Sequence, residues 1–452
     1  MRPRRRNAAT SVRHADGTIT PLCCHGADLR AGVIGLRPNN PTPEAYVTAS
    51  PLRALTGMSL LAAAAAPVLA FADTPNCADV SDGAPIIYGS GATGPRDLIG
   101  EMAFVLENAS DPVVVVYQDQ GACTGPYALA GLAPSTLTGS ANYWDPNTGA
   151  KTACNLPIEG VAVDFAFTDV RAENCPLINY DDSLLVGLLE LQGAVNPVSV
   201  LVPVGSSQQV ISSEAFYLVY GLGAAAGIEP WTSQDPTYFQ RRNDDSGTQL
   251  MISLAAGIPT NKYVGTDAGG GSALVSNLAA LTTPEAGIGF ATASTADGHR
   301  DVVRNLAWQQ AGQDVGYWPD STSSTFDKAN VRSGQYNVWA NVDFYAYEGG
   351  TAGSFSDPDV QVLGEYFAGI SQPAGASETI TEASTKKKLV PVCAMHVARD
   401  TDLGPMYAAE PDEPCGCYFD YTNTGATTCQ TCDDSTPCSG ADVCRLGFCE
   451  AQ

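Results

Sequence analysis

The chain has 452 residues, 44% of them hydrophobic, which is the composition of a globular protein with two or three domains. Its formal net charge is −25 at pH 7. A surface this acidic argues against nucleic acid or an anionic membrane as a partner, because both would repel it.

The first 72 residues have the features of an export signal preceded by an extension. Scattered arginines and no hydrophobic periodicity mark residues 1–52, and an Ala-rich apolar run follows from Leu60 to Leu69. Ala70-Phe71-Ala72 fits the rule for signal peptidase, so we expect cleavage before Asp73. The run is too short for a transmembrane helix. Residues 1–72 are therefore predicted to be a signal peptide with a misannotated N-terminal extension.

A signal peptide that starts this late indicates that translation begins near Val47 or Met58; an extended basic region is the alternative. Twelve of the 14 cysteines follow residue 72, an even number that predicts disulfides in an exported chain. We expect a bacterial protein of the periplasm, the cell surface or the extracellular space.

Residues 84–192 alternate strands with helices. The turn Tyr88-Gly89-Ser90-Gly91-Ala92-Thr93-Gly94-Pro95 joins an apolar strand to a helical run. Val113–Tyr117 predicts a buried parallel strand, and the turn after it contains Ala122. The alternating strand Val161–Val170 places the carboxylate of Asp169 at its end. Residues 133–160 are predicted to be an insertion that Cys123 or Cys154 ties down.

The second unit, residues 193–294, contains the polar loop Arg241-Arg242-Asn243-Asp244-Asp245-Ser246-Gly247-Thr248 directly before the helical run Gln249–Leu254. Free N–H groups and hydroxyls at a helix start favour an anion, and Arg242 adds a charged fork. An ordinary capped helix with surface arginines is the other interpretation of this loop alone.

After about residue 295 the chain is expected to return to the first lobe. Val360, Leu363, Phe367 and Ile370 have helical spacing and predict a helix that faces the core. Eight cysteines lie between Cys393 and Cys449. A zinc site at Cys429 and Cys432 is an alternative, but an exported chain favours disulfides. Residues 411–452 are therefore predicted to be a Cys-rich tail.

The residue types needed for several enzyme classes are missing. Only His299 and His396 follow residue 72, and the chain has no G-x-S-x-G elbow, no Walker A motif and no complete dinucleotide fingerprint. We therefore predict a protein that is not an enzyme and that holds no cofactor or metal; a secreted phosphoester hydrolase is the least favoured alternative.

The first turn, the Val161–Val170 strand and the Arg242 loop, in this order, resemble the G-x-G-A-T, V-D-F-x-x-[ST]-D and R-x-D-x-S-G-T motifs of the phosphate-binding proteins of bacterial ABC importers. The resemblance covers most of residues 84–345. It implies a two-lobed α/β fold that is periplasmic-binding-protein-like (type II), with a ligand cleft between lobes and the disulfide-rich module added. Lobe 1 would comprise 84–192 and 295–410, and lobe 2 would comprise 193–294.

The resemblance also implies the ligand and its contacts. Inorganic phosphate, or a similar tetrahedral oxyanion, would bind in the cleft for uptake, with an ABC permease as partner. Asp169 would accept a proton from the anion, and Asp244 would orient Arg242. The other ligand-binding residues would be Thr93, Gly94, Arg242, Ser246, Gly247 and Thr248.

One residue departs from the pattern. Ala122 stands where the family has a serine that contacts the anion, and Thr124 lies two residues further on. The alternative function is a secreted cell-surface or matrix protein that reuses the fold for adhesion or assembly. Its tail would then contact extracellular components.

Overall fold

The computed structural model describes residues 74–451, apart from residues 133, 434 and 441. The predicted signal peptide and its cleavage site lie outside this part of the chain. No helix within the described part is both long and apolar enough to cross a membrane.

The first segment builds one half of a mixed sheet. β1, β2 and β7 run parallel, and the hairpin β4–β5 extends the sheet beyond β2. That hairpin lies in the predicted insertion, which the Cys77–Cys154 disulfide ties to the start of the described chain. The elements are β1 (Ile86–Gly91), α1 (Arg96–Glu107), β2 (Val114–Gln118), α2 (Thr124–Leu129), β3 (Thr136–Leu137), β4 (Ser140–Trp144), β5 (Lys151–Asn155), β6 (Val161–Ala162) and β7 (Phe165–Thr168).

The next segment is dominated by one long strand, followed by a second group of strands and helices. The elements are β8 (Leu188–Pro203), β9 (Val210–Ser212), α3 (Ser213–Leu222), β10 (Gln240–Arg241), α4 (Gly247–Ala256), β11 (Thr266–Asp267), α5 (Gly271–Ala279), β12 (Gly289–Thr292), α6 (Ala293–Asp297), β13 (Val303–Asn305) and β14 (Ala307–Gln309). The end of β8 pairs antiparallel with β12 and β13.

The chain then crosses back to the first sheet. This segment contains α7 (Ala329–Arg332), β15 (Trp339–Tyr347), α8 (Pro358–Phe367), α9 (Ile380–Lys386), β16 (Val397–Ala398) and β17 (Tyr407–Ala408). β15 lies between β7 and the first part of β8, antiparallel to both. The expected crossing near residue 295 falls inside α6, while β13 and β14 still pair with β8 and β9. We therefore propose that the return to lobe 1 occurs at β15.

Each lobe has an aromatic core, which the alternating apolar residues of the strands provide. On one side of the first sheet, Phe167 packs edge-on against Phe344 and Phe367 at 5.1 and 5.0 Å between ring centroids. In the second group, Phe216 lies 5.5 Å from Trp308 and 5.9 Å from Phe290. The two-lobed α/β fold predicted from the sequence is confirmed.

Helix α8 matches its predicted face except at the end. Val360, Leu363 and Phe367 are buried, but Ile370 is 64% exposed. The helix stops at Phe367, and Gly369 has a φ of +69°, which turns the chain out of the helical path before Ile370. The prediction was therefore wrong for Ile370.

The C-terminal segment carries the predicted disulfides. Its elements are α10 (Gly416–Thr424), β18 (Val443–Arg445) and β19 (Phe448–Glu450). Its cysteines pair as Cys393–Cys415, Cys417–Cys429, Cys432–Cys444 and Cys438–Cys449, which confirms the Cys-rich module. Cys429 and Cys432, the residues of the zinc alternative, each belong to a different disulfide.

Candidate functional site

Asp169 lies directly after β7, at the edge of the sheet where the parallel strands β1, β2 and β7 end. This edge is the usual ligand side of an open α/β sheet. Asp169 is only 6% exposed, and its Oδ1 has no hydrogen-bond partner in the described part of the chain. Burial raises the pKa of Asp169 to about 6, although Arg242 nearby acts in the opposite direction. The buried carboxylate can therefore still accept a hydrogen bond from a ligand.

Two glycines allow the chain to close around this carboxylate. A Cβ on Gly94 would lie 2.4 Å from Asp169 Oδ2, and one on Gly247 would lie 1.7 Å from Asp169 Oδ1. Neither distance is sterically possible, so both positions require glycine in this arrangement. Gly94 belongs to the first turn and Gly247 begins α4, so Asp169 is enclosed by both lobes.

Arg242 approaches from the second lobe and is 3% exposed. Its Nη2 donates to Thr93 Oγ1 at 3.2 Å, and its backbone N–H donates to Gln249 Oε1 at 3.0 Å. Burial lowers the pKa of Arg242, and the negative charge of Asp169 partly offsets this. The described residues show no ion pair between the Arg242 guanidinium and Asp169. The two charges face the same site without contacting each other.

Asp244 does not orient Arg242, contrary to the prediction. The Asp244 carboxylate lies 3.9 Å from Arg241 Nη1 and accepts a 3.4 Å hydrogen bond from Gln249 Nε2. Because Gln249 also holds the Arg242 backbone, this glutamine takes over the positioning role expected of Asp244.

The start of α4 leaves donors free. Ser246 is the N-cap residue, but its side chain makes no capping bond. The N–H of Leu250 bonds to Ser246 O at 2.8 Å, so the preceding N–H groups of Gly247 and Thr248 have no acceptor inside the helix. Ser246 and Thr248 are each 2% exposed. These donors and hydroxyls therefore lie in a dry, electropositive setting.

A second helix start lies beside the first. A Cβ on Gly271, the first residue of α5, would be 3.9 Å from Arg242 Nη1 and 3.4 Å from Thr295 Oγ1. Helix α1 begins two residues after Gly94. The N-termini of α1, α4 and α5 thus approach the same cluster, and each contributes partial positive charge.

The turn after β2 places Ala122 beside Gly247, at the edge of the site. Ala122 is 1% exposed, and its methyl group lies 3.0 Å from where a Cβ of Gly247 would be. The Thr124 hydroxyl cannot replace the missing serine, because it donates to Gly121 O at 2.8 Å and pairs with Ser90 Oγ at 3.0 Å. This turn offers the site no side-chain hydroxyl.

The structure adds residues that sequence reasoning missed. Both polar side-chain atoms of Asn196 on β8 are buried without a partner among the described residues, and Asn196 Nδ2 lies 2.9 Å from the Cβ position of Gly94. Tyr127 Oη donates to Asp245 Oδ1 at 3.2 Å, which links the two lobes. An asparagine in the middle of a largely apolar strand carries no distinctive signal, so nothing in the sequence marked Asn196.

All seven residues predicted to bind the ligand lie in this region. Thr93 and Gly94 belong to the first turn, Asp169 to the end of β7, and Arg242, Ser246, Gly247 and Thr248 to the α4 loop. In this arrangement the buried carboxylate of Asp169 faces the guanidinium of Arg242 and several free N–H groups. It suits a small oxyanion that carries a proton.

No known family profile and no curated relative matches the sequence. Solved structures do resemble the fold at low identity. A possible phosphate-binding protein from Planctomyces limnophilus is 10% identical, with 68% of this chain and 93% of that chain covered and a TM-score of 0.43.

Two further structures are similar. A putative phosphate ABC transporter substrate-binding protein with bound phosphate, from Clostridium perfringens, is 15% identical, with 68% and 99% covered and a TM-score of 0.46. An ABC-type phosphate transport receptor from Vibrio cholerae is 13% identical, with 67% and 99% covered and a TM-score of 0.42.

Proposed function

We propose that this protein is an exported solute-binding protein that holds inorganic phosphate, or a similar protonated tetrahedral oxyanion, between its lobes. The observation that carries the proposal is the buried Asp169 carboxylate, which faces Arg242 and the start of α4 and whose Oδ1 has no partner between residues 74 and 451 as described. The motif resemblance of the three loops supports the same ligand. Binding, and not turnover, is the proposed activity.

The chemistry of Asp169 sets the expected selectivity. Phosphate carries a proton at neutral pH that a carboxylate can accept, whereas sulfate does not. Sulfate would place two acceptors face to face in a dry site, at a cost of roughly 1–3 kcal/mol or more. That corresponds to about 10- to 100-fold weaker binding.

Calorimetry with phosphate and with sulfate tests the proposal. We expect phosphate to bind and sulfate to bind at least about tenfold more weakly. Asp169→Asn should reduce this preference, because the amide can donate to sulfate. Equal affinity for both anions in the wild type, or no phosphate binding at millimolar concentration, would refute the site assignment.

A role in adhesion or assembly is the second candidate, and two observations favour it. Ala122 removes a hydroxyl from the site, and the tail carries three disulfides between residues 417 and 449. If phosphate does not bind, immobilised tail-deleted and intact protein should be compared for attachment to bacterial cell surfaces. Uptake through an ABC permease would require phosphate binding first.

A further inference from the structure

A cavity of about 250 Å³ opens outward from the proposed phosphate site, and it lies between the lobes. Thr93 and Gly94 form its inner wall, so it is continuous with the site that Arg242 reaches. A water molecule occupies about 30 Å³ in the liquid, so the cavity has room for a group considerably larger than one water. The ligand therefore has space to extend beyond a single phosphoryl group.

The cavity wall is positively charged within a very acidic protein. Four of its lining residues are cationic, Arg96 and Lys386 to Lys388, and Asp97 is its one carboxylate. The described part of the chain has only 15 lysines and arginines, and four of them line this one cavity of a protein whose net charge is −25. An anionic substituent would meet favourable charge here.

The cations differ in how far they are already neutralised. Arg96 lies 2.8 Å from Asp119. Lys386 and Lys387 both pair with Glu101, and Lys386 also lies 3.8 Å from Glu378. Lys388 has no ion pair within the described residues; its Nζ lies 5.7 Å from the centre of the Phe326 ring. Three lysines therefore stand beside two carboxylates, Glu101 and Glu378, which leaves excess positive charge at the outer end of the cleft.

Polar groups of the second lobe complete the wall. Ser272 belongs to the first turn of α5, and Ser294 and Thr295 belong to α6. His299 is half-buried, and its Nδ1 donates to Thr295 O at 2.8 Å. Hydroxyl groups therefore face the lysines across the cavity.

We propose that the cleft accepts condensed phosphates, with diphosphate as the simplest case. This inference rests on the proposed function: one phosphoryl group would occupy the site at Asp169 and Arg242. The second group, one bridging oxygen further out, would lie beside Thr93 and reach toward Lys388.

Calorimetry with phosphate, diphosphate and glycerol 3-phosphate tests this on the wild type, on Lys388→Gln and on Lys262→Gln. Lys262 is an exposed lysine outside the cavity and controls for the change in net charge. We expect diphosphate to bind at least as tightly as phosphate. Lys388→Gln should weaken diphosphate about 2- to 5-fold and leave phosphate unchanged, as for a partly exposed ion pair. Lys387→Gln should act in the same direction.

The outcomes separate the two proposals. Phosphate binding without diphosphate binding would overturn this inference and leave the proposed function intact. Failure of both anions to bind would overturn both proposals. If glycerol 3-phosphate binds as well as diphosphate and Lys388→Gln affects neither ligand, the cavity holds a neutral substituent and the charge argument is wrong.

Discussion

At the scale of single residues, the buried Asp169 of the proposed ligand site lowers the stability of the ligand-free protein. The pKa of Asp169 is raised to about 6 in the folded protein, above its ordinary value of 3.8. A carboxyl group with a raised pKa binds its proton more tightly when folded, so its favourable contribution is lost as pH rises through this window. At pH 7 the ionised group costs on the order of 3 kcal/mol.

Asp169→Asn should therefore stabilise the ligand-free protein at pH 7, by up to about 3 kcal/mol. The gain should shrink toward pH 4, where the wild-type carboxyl is protonated. Urea unfolding at several pH values measures this. A variant that is less stable than the wild type at pH 7 would show that Asp169 is satisfied in the folded protein.

Gly247→Ala should weaken phosphate binding, although it removes no charged group. The added methyl would overlap Asp169 Oδ1, and overpacking of this kind typically costs about 1–3 kcal/mol. We expect phosphate affinity to fall about 10- to 100-fold in calorimetry. Gly350→Ala is the matched control, because a Cβ there meets no atom within 4 Å. An equal loss of phosphate affinity in the two variants would contradict the close approach of Gly247 to Asp169.

The two neighbouring arginines should differ sharply. Arg242 is buried and contacts Thr93, whereas Arg241 pairs loosely with Asp244 at 3.9 Å. Loss of a hydrogen bond to a charged group costs about 1.5–3 kcal/mol, so Arg242→Ala should weaken phosphate about 10- to 100-fold or more. Arg241→Ala should change affinity only a few-fold. Calorimetry on both variants tests this. A larger loss of phosphate affinity in Arg241→Ala than in Arg242→Ala would contradict the assignment of the Arg242 guanidinium to the ligand.

At the scale of elements, the tail has two parts that should behave differently on deletion. Helix α10 is docked: Phe419 is fully buried, and Arg332 bonds to Asp420 at 2.5 Å. Beyond it, the segment 425–452 is held by disulfides and by Glu450, which accepts from the Cys417 and Tyr418 N–H groups.

We expect deletion of 425–452, combined with Cys417→Ser to avoid a free thiol, to leave both lobes folded and phosphate binding unchanged. Deletion of 411–452, combined with Cys393→Ser to avoid a free thiol, removes α10 and the Cys393–Cys415 disulfide. It should lower the melting temperature clearly, because burial of Phe419 alone is worth about 1.5–3 kcal/mol. Circular dichroism melts of both proteins provide the comparison. If the protein that lacks residues 425–452 is unfolded, the disulfide-bonded segment is required for the lobes to fold.

Elements with strong local patterns were predictable from the sequence. The alternation of strands and helices, the buried strand β2 and the disulfide-rich tail all have signals within a few residues of chain. The partners of side chains were not predictable. Asn196 reaches the Gly94 turn because distant segments approach each other there, and Asp244 pairs with Arg241 because of the conformation of their loop, which no local residue pattern specified. Ile370 left its predicted face because the helix ended three residues earlier than its apolar spacing indicated.

At the scale of the whole molecule, several buried carboxyl groups share the behaviour of Asp169. Burial raises the pKa of Glu107 and of Glu378 to about 7, and it raises that of the fully buried Asp343 well above its ordinary value. Groups with lowered values, such as Glu101 and Glu285 at about 2, change charge only in stronger acid.

The protein should therefore be more stable at pH 5 than at pH 8. Between these values the folded state binds more protons than the unfolded state, so the free energy of unfolding falls as pH rises. Self-repulsion of a chain with net charge −25 acts in the same direction. Melting temperatures measured without phosphate across this range check the prediction, and a maximum above pH 7 would contradict it.

The strand that both lobes share also governs the order in which the molecule can be assembled. The beginning of β8 pairs along its length with β15, in which Trp339 is the partner of Pro197, while its end pairs with β12 and β13. A newly made chain that has reached residue 310 can complete the second lobe, but the first sheet still lacks its central antiparallel strand. Long-range pairing of this kind is slow and leaves strand edges exposed. The lobe that begins the chain is thus the last to be finished, and neither lobe can be cut out as an independent piece without dividing β8.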